Sequence, residues 1–153
     1  LSIKIMNNKS GFTLLEVLVV IGILSVFLLS AVTVSIVSVR NLKNSENKIL
    51  ASRYAEGLIE WLRGEKEADW DDLKTNRLGI WCFKDEPIID WPSSQSPLGC
   101  QNQKINNLLF QRKASISVSD TDPNRLLVEV NISWNEGEEI ITIPVNTLFE
   151  QYD

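Results

Sequence analysis

The chain has 153 residues, with 15 Lys and Arg against 20 Asp and Glu, a net charge of −5 and no histidine. That length holds one ordinary domain, or one segment with a separate task plus a small domain. A nucleic-acid binder needs a concentrated basic patch, but the basic residues here are dispersed among acids, so no nucleic-acid partner is expected. Without histidine, the commonest general base and the commonest zinc ligand are missing too. No nucleophile, base and orienting group stand together, so the expectation is a non-enzyme with no catalytic residues, no cofactor and no metal.

Residues 1–11 are short, polar and weakly basic through Lys4 and Lys9. Leu1 is an unusual initiator; Met6 is an alternative start that leaves the compact leader MNNKSG. A secretory signal places its apolar stretch before a small-residue junction. Here the junction, Ser10-Gly11, comes first, so a cut there would leave the hydrophobic segment on the mature chain.

From Val17 to Val39 there are 23 residues without a charge. As a helix they span roughly 34 Å, enough for a hydrocarbon core of about 30 Å. A core helix of a soluble domain would carry a polar face, whereas this run has only scattered hydroxyls, and it is read as membrane-spanning. Lys4 and Lys9 flank one end, Arg40, Lys43 and Lys48 the other, so basic bias does not decide its orientation. Glu16 lies at the start of this apolar run.

After Arg40 the chain becomes amphipathic. Leu50, Tyr54, Leu58, Trp61 and Leu62 recur on one helical face, with Ala51 and Ala55 beside them. No proline precedes Pro87, so the spacing predicts one helix over roughly Phe12 to Arg63, with Gly57 and Gly64 as weak points. Gly64 to Lys113 reads as a long irregular connection with a short strand candidate, Leu78 to Phe83. From there the period becomes two. KASISVS, RLLVEVNISW and EEIITIPVN read as a three-stranded antiparallel meander with turns at Asp120–Asn124 and Asn135-Glu136-Gly137. Its apolar face (Leu126, Val128, Val130, Ile132, Trp134) is suited to bury the helix stripe. The expected class is α+β: a long N-terminal helix packed on a small antiparallel sheet. The expected divisions are residues 1–11, 12–40, 41–64 and 65–153, the last with a variable loop over 65–111 and the meander over 112–149.

The residues GFTLLEVLVVIGILSV resemble the class III leader and N-terminal helix of type IV pilins and type II secretion pseudopilins. The likeness covers about 30 residues, and the helix-then-meander order extends it as architecture. The segment ASRYAEGLIEWLRGEKEADWDDL is similar to that of minor pilins whose helix ends in a charged run. The resemblance implies cleavage between Gly11 and Phe12 by a prepilin peptidase, methylation of the new Phe12 amine, and assembly through the N-terminal helices. The partners it implies are the prepilin peptidase/methyltransferase, other pilin or pseudopilin subunits, an inner-membrane assembly platform and the lipid bilayer. Two features depart from common members. The run lacks the helix-breaking proline of many major pilins, and Glu16 is present where one tip-type class lacks the acid.

Glu16 has two readings. A buried carboxylate costs about 2.5–3.5 kcal/mol at mid-membrane, but the cut creates a cation four residues away. In a filament, Glu16 of one subunit would meet the Phe12 amine of its neighbour. Alternatively it reaches the headgroups from a helix start, where the dipole favours acids. Cys82 and Cys100 form a disulfide if the region is exported, or remain two buried thiols; export favours the bond. Asp120–Asn124 begins like a calcium loop, but Arg125 replaces the glycine and Asn131 the final glutamate, so a hairpin turn is expected. Asp69, Asp71 and Asp72 read as a solvated acidic helix end rather than as metal ligands. The five tryptophans read as core packing more than as an exposed binding surface.

Together these give a minor pilin or pseudopilin, held in the cytoplasmic membrane by a single pass with its head outside, then in a filament. The alternative is a single-pass membrane-anchored binding or sensor protein that does not polymerise.

Overall fold

A computed structural model describes residues 13–100 and 103–151. It divides into two compact units, residues 1–44 and 45–153. The first helix, α1, is Leu14–Ala68, 55 residues long.

In the first unit α1 carries no charge and is exposed all round from Val17 to Val39, with Leu18, Phe27 and Val39 among its exposed apolar side chains. Among the described residues this is the one helix long and apolar enough to cross a membrane. Its hydroxyls are closed within the helix. Ser25, Ser30, Thr33 and Ser35 donate to the carbonyls of Ile21, Val26, Leu29 and Ala31, at 2.8–2.9 Å. Each hydroxyl proton is therefore already paired, which would remove most of the desolvation cost of placing it in hydrocarbon.

In the second unit, residues 45–68 of α1 turn a narrow face inward. Ala51, Ala55, Leu58 and Leu62 are fully buried, while Leu50, Tyr54 and Trp61 flank them half-buried. The buried line thus runs through the alanines rather than through Leu50 and Tyr54. Small side chains there bring the helix axis close to its neighbours, and the larger ones fill the sides. The helix also continues past Arg63 to Ala68. Gly64 costs about 1 kcal/mol relative to alanine, and the packing of Leu58, Ile59 and Leu62 just before it offsets that.

The connection read as irregular contains a second helix, α2, Trp70–Asn76. Asp69 is its N-cap and accepts from the Asp72 amide at 2.9 Å, satisfying one of the free amides of the first turn. Trp70 and Leu73 anchor it in the core.

The sheet has four strands, not three: β1 Gly79–Cys82, β2 Gln111–Val118, β3 Arg125–Glu136 and β4 Glu139–Glu150. They pair antiparallel in the order β1-β2-β3-β4. Leu126, Val128, Val130, Ile132 and Trp134 all point inward and are buried, as period-two alternation requires. The β3–β4 turn is Gly137-Glu138, with Glu136 opposite Glu139. Gly137 has φ 67°, the conformation that the first loop position of a type II′ hairpin demands.

Candidate functional site

Thr13 immediately precedes α1, and its Oγ1 accepts from the Glu16 amide at 3.3 Å. The Thr13 carbonyl accepts from the Val17 amide, also at 3.3 Å. Thr13-Leu14-Leu15-Glu16 has the T-x-x-E form of a capping box, and its threonine half is made. The helix therefore starts at a defined residue, with the acid Glu16 in its first turn, where the dipole favours negative charge. Thr13 is a positioning residue that the sequence reading passed over, although the T-x-x-E spacing was its signal. Glu16 is exposed. Gly11 and Phe12, the expected cleavage and methylation positions, lie outside the described residues.

Farther along the same helix, Gly22 and Ser30 share a shallow groove with Ile23, Val26 and Phe27. Two of the small residues that favour close helix approach are thus brought onto one strip of surface.

The head is held by cross-links around the loop between β1 and β2. Cys82 and Cys100 are disulfide-bonded, with Cα atoms 5.4 Å apart and a sequence separation of 18. Arg112, 1% exposed, sits at an inward position of β2. It donates to Glu86 Oε2 at 2.8 Å and to the Asp85 carbonyl at 2.6 Å. Burial pushes the Arg112 guanidinium below its ordinary value, and Glu86 opposes that shift; the group stays protonated because its ordinary value is so high. Trp91 donates to Glu65 Oε2 at 2.6 Å. The Arg77 guanidinium lies 4.8 Å from the centre of the Trp91 ring, a cation–π contact. Trp61, Trp81 and Phe83 meet Trp91 edge-on or tilted, at 5.2–5.8 Å. These tryptophans are packing residues, as expected.

The acidic segments are engaged by the fold. Asp72 accepts from Asn76 and Arg77, both at 2.8 Å, and hydrogen bonds from these two hold its carboxyl below the ordinary 3.8. That contribution is present above 3.8 and is lost as pH falls through the lowered folded value. Asp122 accepts from the Asn124 amide, and its carbonyl accepts from the Arg125 amide, closing the β2–β3 turn. Among the described residues no group of three or more His, Cys, Asp or Glu is placed to hold a metal ion.

Removing the disulfide by a double Cys82→Ser and Cys100→Ser replacement is expected to lower the stability of the head by about 3 kcal/mol, the chain-entropy value for a loop of this size. Denaturant midpoints of the two proteins measure it, and an unchanged midpoint would contradict the tie.

Residues 6–32 match the family model of the prokaryotic N-terminal methylation motif, the class III prepilin leader of type IV pilins and pseudopilins. No curated protein and no solved structure matches the chain. The motif implies processing by a prepilin peptidase, and with the long apolar helix it fits a membrane-anchored, type IV pilin-like precursor.

Proposed function

We propose that the chain is a structural, non-enzymatic subunit, a minor pilin or pseudopilin, of a type IV pilus-like filament. It is cut between Gly11 and Phe12, methylated on the new Phe12 amine, stored in the cytoplasmic membrane as a single pass with its head outside, and then assembled through α1. The observation that carries this reading is the conjunction of the methylation motif over residues 6–32 with Glu16 in the first turn of a helix begun by Thr13. The cut removes Lys4 and Lys9, which moves the formal side-chain charge from −5 to −7, and it creates a cation, the Phe12 amine, four residues from Glu16.

The first part of α1 serves twice in this account. Its apolar surface with internally closed hydroxyls is compatible with lipid, and the same surface packs against neighbouring helices once the subunit leaves the bilayer. Gly22 and Ser30 are the positions where such neighbours come closest. Because lipid tails are as apolar as leucine, that association relies on close packing and on polar pairs rather than on the hydrophobic effect.

Deleting the prepilin peptidase of the host cell tests the reading. The expected result is a longer chain retained in the membrane and absent from sheared filaments. A chain of unchanged length that never appears in filaments in either strain would instead fit the non-polymerising membrane protein.

A further inference from the structure

The two edges of the sheet are treated differently. At β1 the outer edge is closed: the Ser96 amide donates to the Ile80 carbonyl at 2.8 Å, and Gln95 Nε2 donates to the Leu78 carbonyl at 2.7 Å. Close contact secures this closure, since a Cβ on Gly79 would lie 2.9 Å from Gln95 Oε1. At β4, 12 residues long, no strand lies on the outer side among the described residues.

The register shows which backbone groups β4 presents there. Glu136 and Glu139 close a two-residue hairpin, so they form a hydrogen-bonded pair, and such pairs alternate along the ladder. Glu139, Ile141, Ile143, Val145, Thr147 and Phe149 therefore bond to β3. Ile140, Thr142, Pro144, Asn146 and Leu148 direct their backbone groups outward. Pro144 falls in the outward set, where its missing N–H costs the sheet nothing. On the inner face beside this edge, Ile141, Ile143 and Val145 are only half-buried against the core. An added strand would thus gain both a ladder and an apolar flank.

Charge selects the occupant. From Leu126 to Asp153 the chain has six acids and no lysine or arginine. Glu150 is matched by Arg125 at 2.9 Å, while Glu136, Glu138 and Glu139 crowd the hairpin end. A second copy paired antiparallel through its own β4 would set that acidic tip against the Glu150 end, where one cation, Arg125, is already shared by Asp122 and Glu150; paired parallel, it would set tip against tip. Like charges opposite one another destabilise a pair of strands. We propose that the outer edge of β4 is a strand-addition site for an extended segment of a different protein, β-prone at its centre and basic at its ends. Main-chain bonds supply the grip, as wherever a peptide extends a sheet edge, and here flanking charge supplies the choice.

The test uses the full chain in non-ionic micelles and two short peptides of alternating valine and threonine, one ended by lysines and one by glutamates. Hydrogen exchange over residues 139–150 is the readout. The lysine-ended peptide is expected to slow exchange at Ile140, Thr142, Asn146 and Leu148, and to bind more weakly as salt rises; the glutamate-ended one is not. Thr142→Pro removes a second outward donor at a position equivalent to Pro144, so it keeps the fold, checked by circular dichroism, and weakens binding about tenfold. Asn146→Pro gives a second variant of the same kind. Equal protection by both peptides, protection by neither, or protection that grows with the chain's own concentration would each overturn the proposal.

Discussion

Replacing Glu16 with alanine is expected to leave the chain in the membrane fraction and to remove it from sheared filaments. Insertion depends on the uncharged run from Val17 to Val39, which the substitution only extends. In the proposed filament, assembly depends on what faces the new Phe12 amine. Once buried among neighbouring helices, that ammonium would be left without its partner, and removing one member of a buried pair costs about 3–5 kcal/mol. A loss of 3 kcal/mol lowers an association constant by about a hundredfold. The capping geometry offers a competing explanation, because Glu16 also belongs to the T-x-x-E box with Thr13, and magnitudes separate the two. A lost cap costs about 1 kcal/mol in a helix of 55 residues, where it frays one end. Glu16→Gln retains the box but not the charge, and Thr13→Ala destroys the box but not the charge. The pairing account expects the glutamine variant to fail and the Thr13 variant to assemble. The reverse pattern would reduce Glu16 to a capping residue.

Trp134→Ala is expected to destabilise the head by about 3–5 kcal/mol, the range for deleting a buried aromatic side chain. Trp134 is 2% exposed. Its ring centre is 5.4 Å from that of Phe110, which in turn lies 5.5 Å from Tyr54 on α1. Sheet, loop and helix meet through these three rings. Against a typical total of about 5–15 kcal/mol, the alanine variant gives up about a fifth of the stability or more. Trp134→Phe should cost much less. The indole Nε1–H has no acceptor among the described residues, so phenylalanine loses area but no hydrogen bond, and it removes a buried donor whose desolvation costs about 1–3 kcal/mol. Denaturant titration of both variants, followed by near-ultraviolet circular dichroism, measures the difference. Equal losses would mean that the N–H is paired in the folded head.

The long helix and strands β2, β3 and β4 were legible because their patterns are local: a 3.6-residue stripe, then alternation with a period of two. The centre of the helix stripe was misplaced because alanine carries little hydrophobic signal, yet Ala51 and Ala55 set the distance of approach. The helix α2 was hidden in a short acidic stretch whose one cue was Asp69 three residues before Asp72. Leu78 to Phe83 was legible as a strand candidate, but not its pairing with β2, since the partner lies across the long loop and leaves no nearby trace. Arg112 is the clearest limit. A charged residue at an inward position of β2 makes sense only once Glu86 and the Asp85 carbonyl arrive from 26 and 27 residues away. At the N-terminus the acid and the apolar run are plain in the sequence, while the role of Thr13 shows only in the geometry of the helix start, where its hydroxyl accepts from the Glu16 amide.

The central claim is that a cut gives Glu16 a new cation, the Phe12 amine, and makes the acid half of an assembly contact. Mass spectrometry of the mature N-terminal peptide tests it most directly. The account predicts a chain that begins at Phe12 and carries a methyl group on its amine. A mature chain that still contains Lys9-Ser10-Gly11 ahead of Phe12 would contradict it.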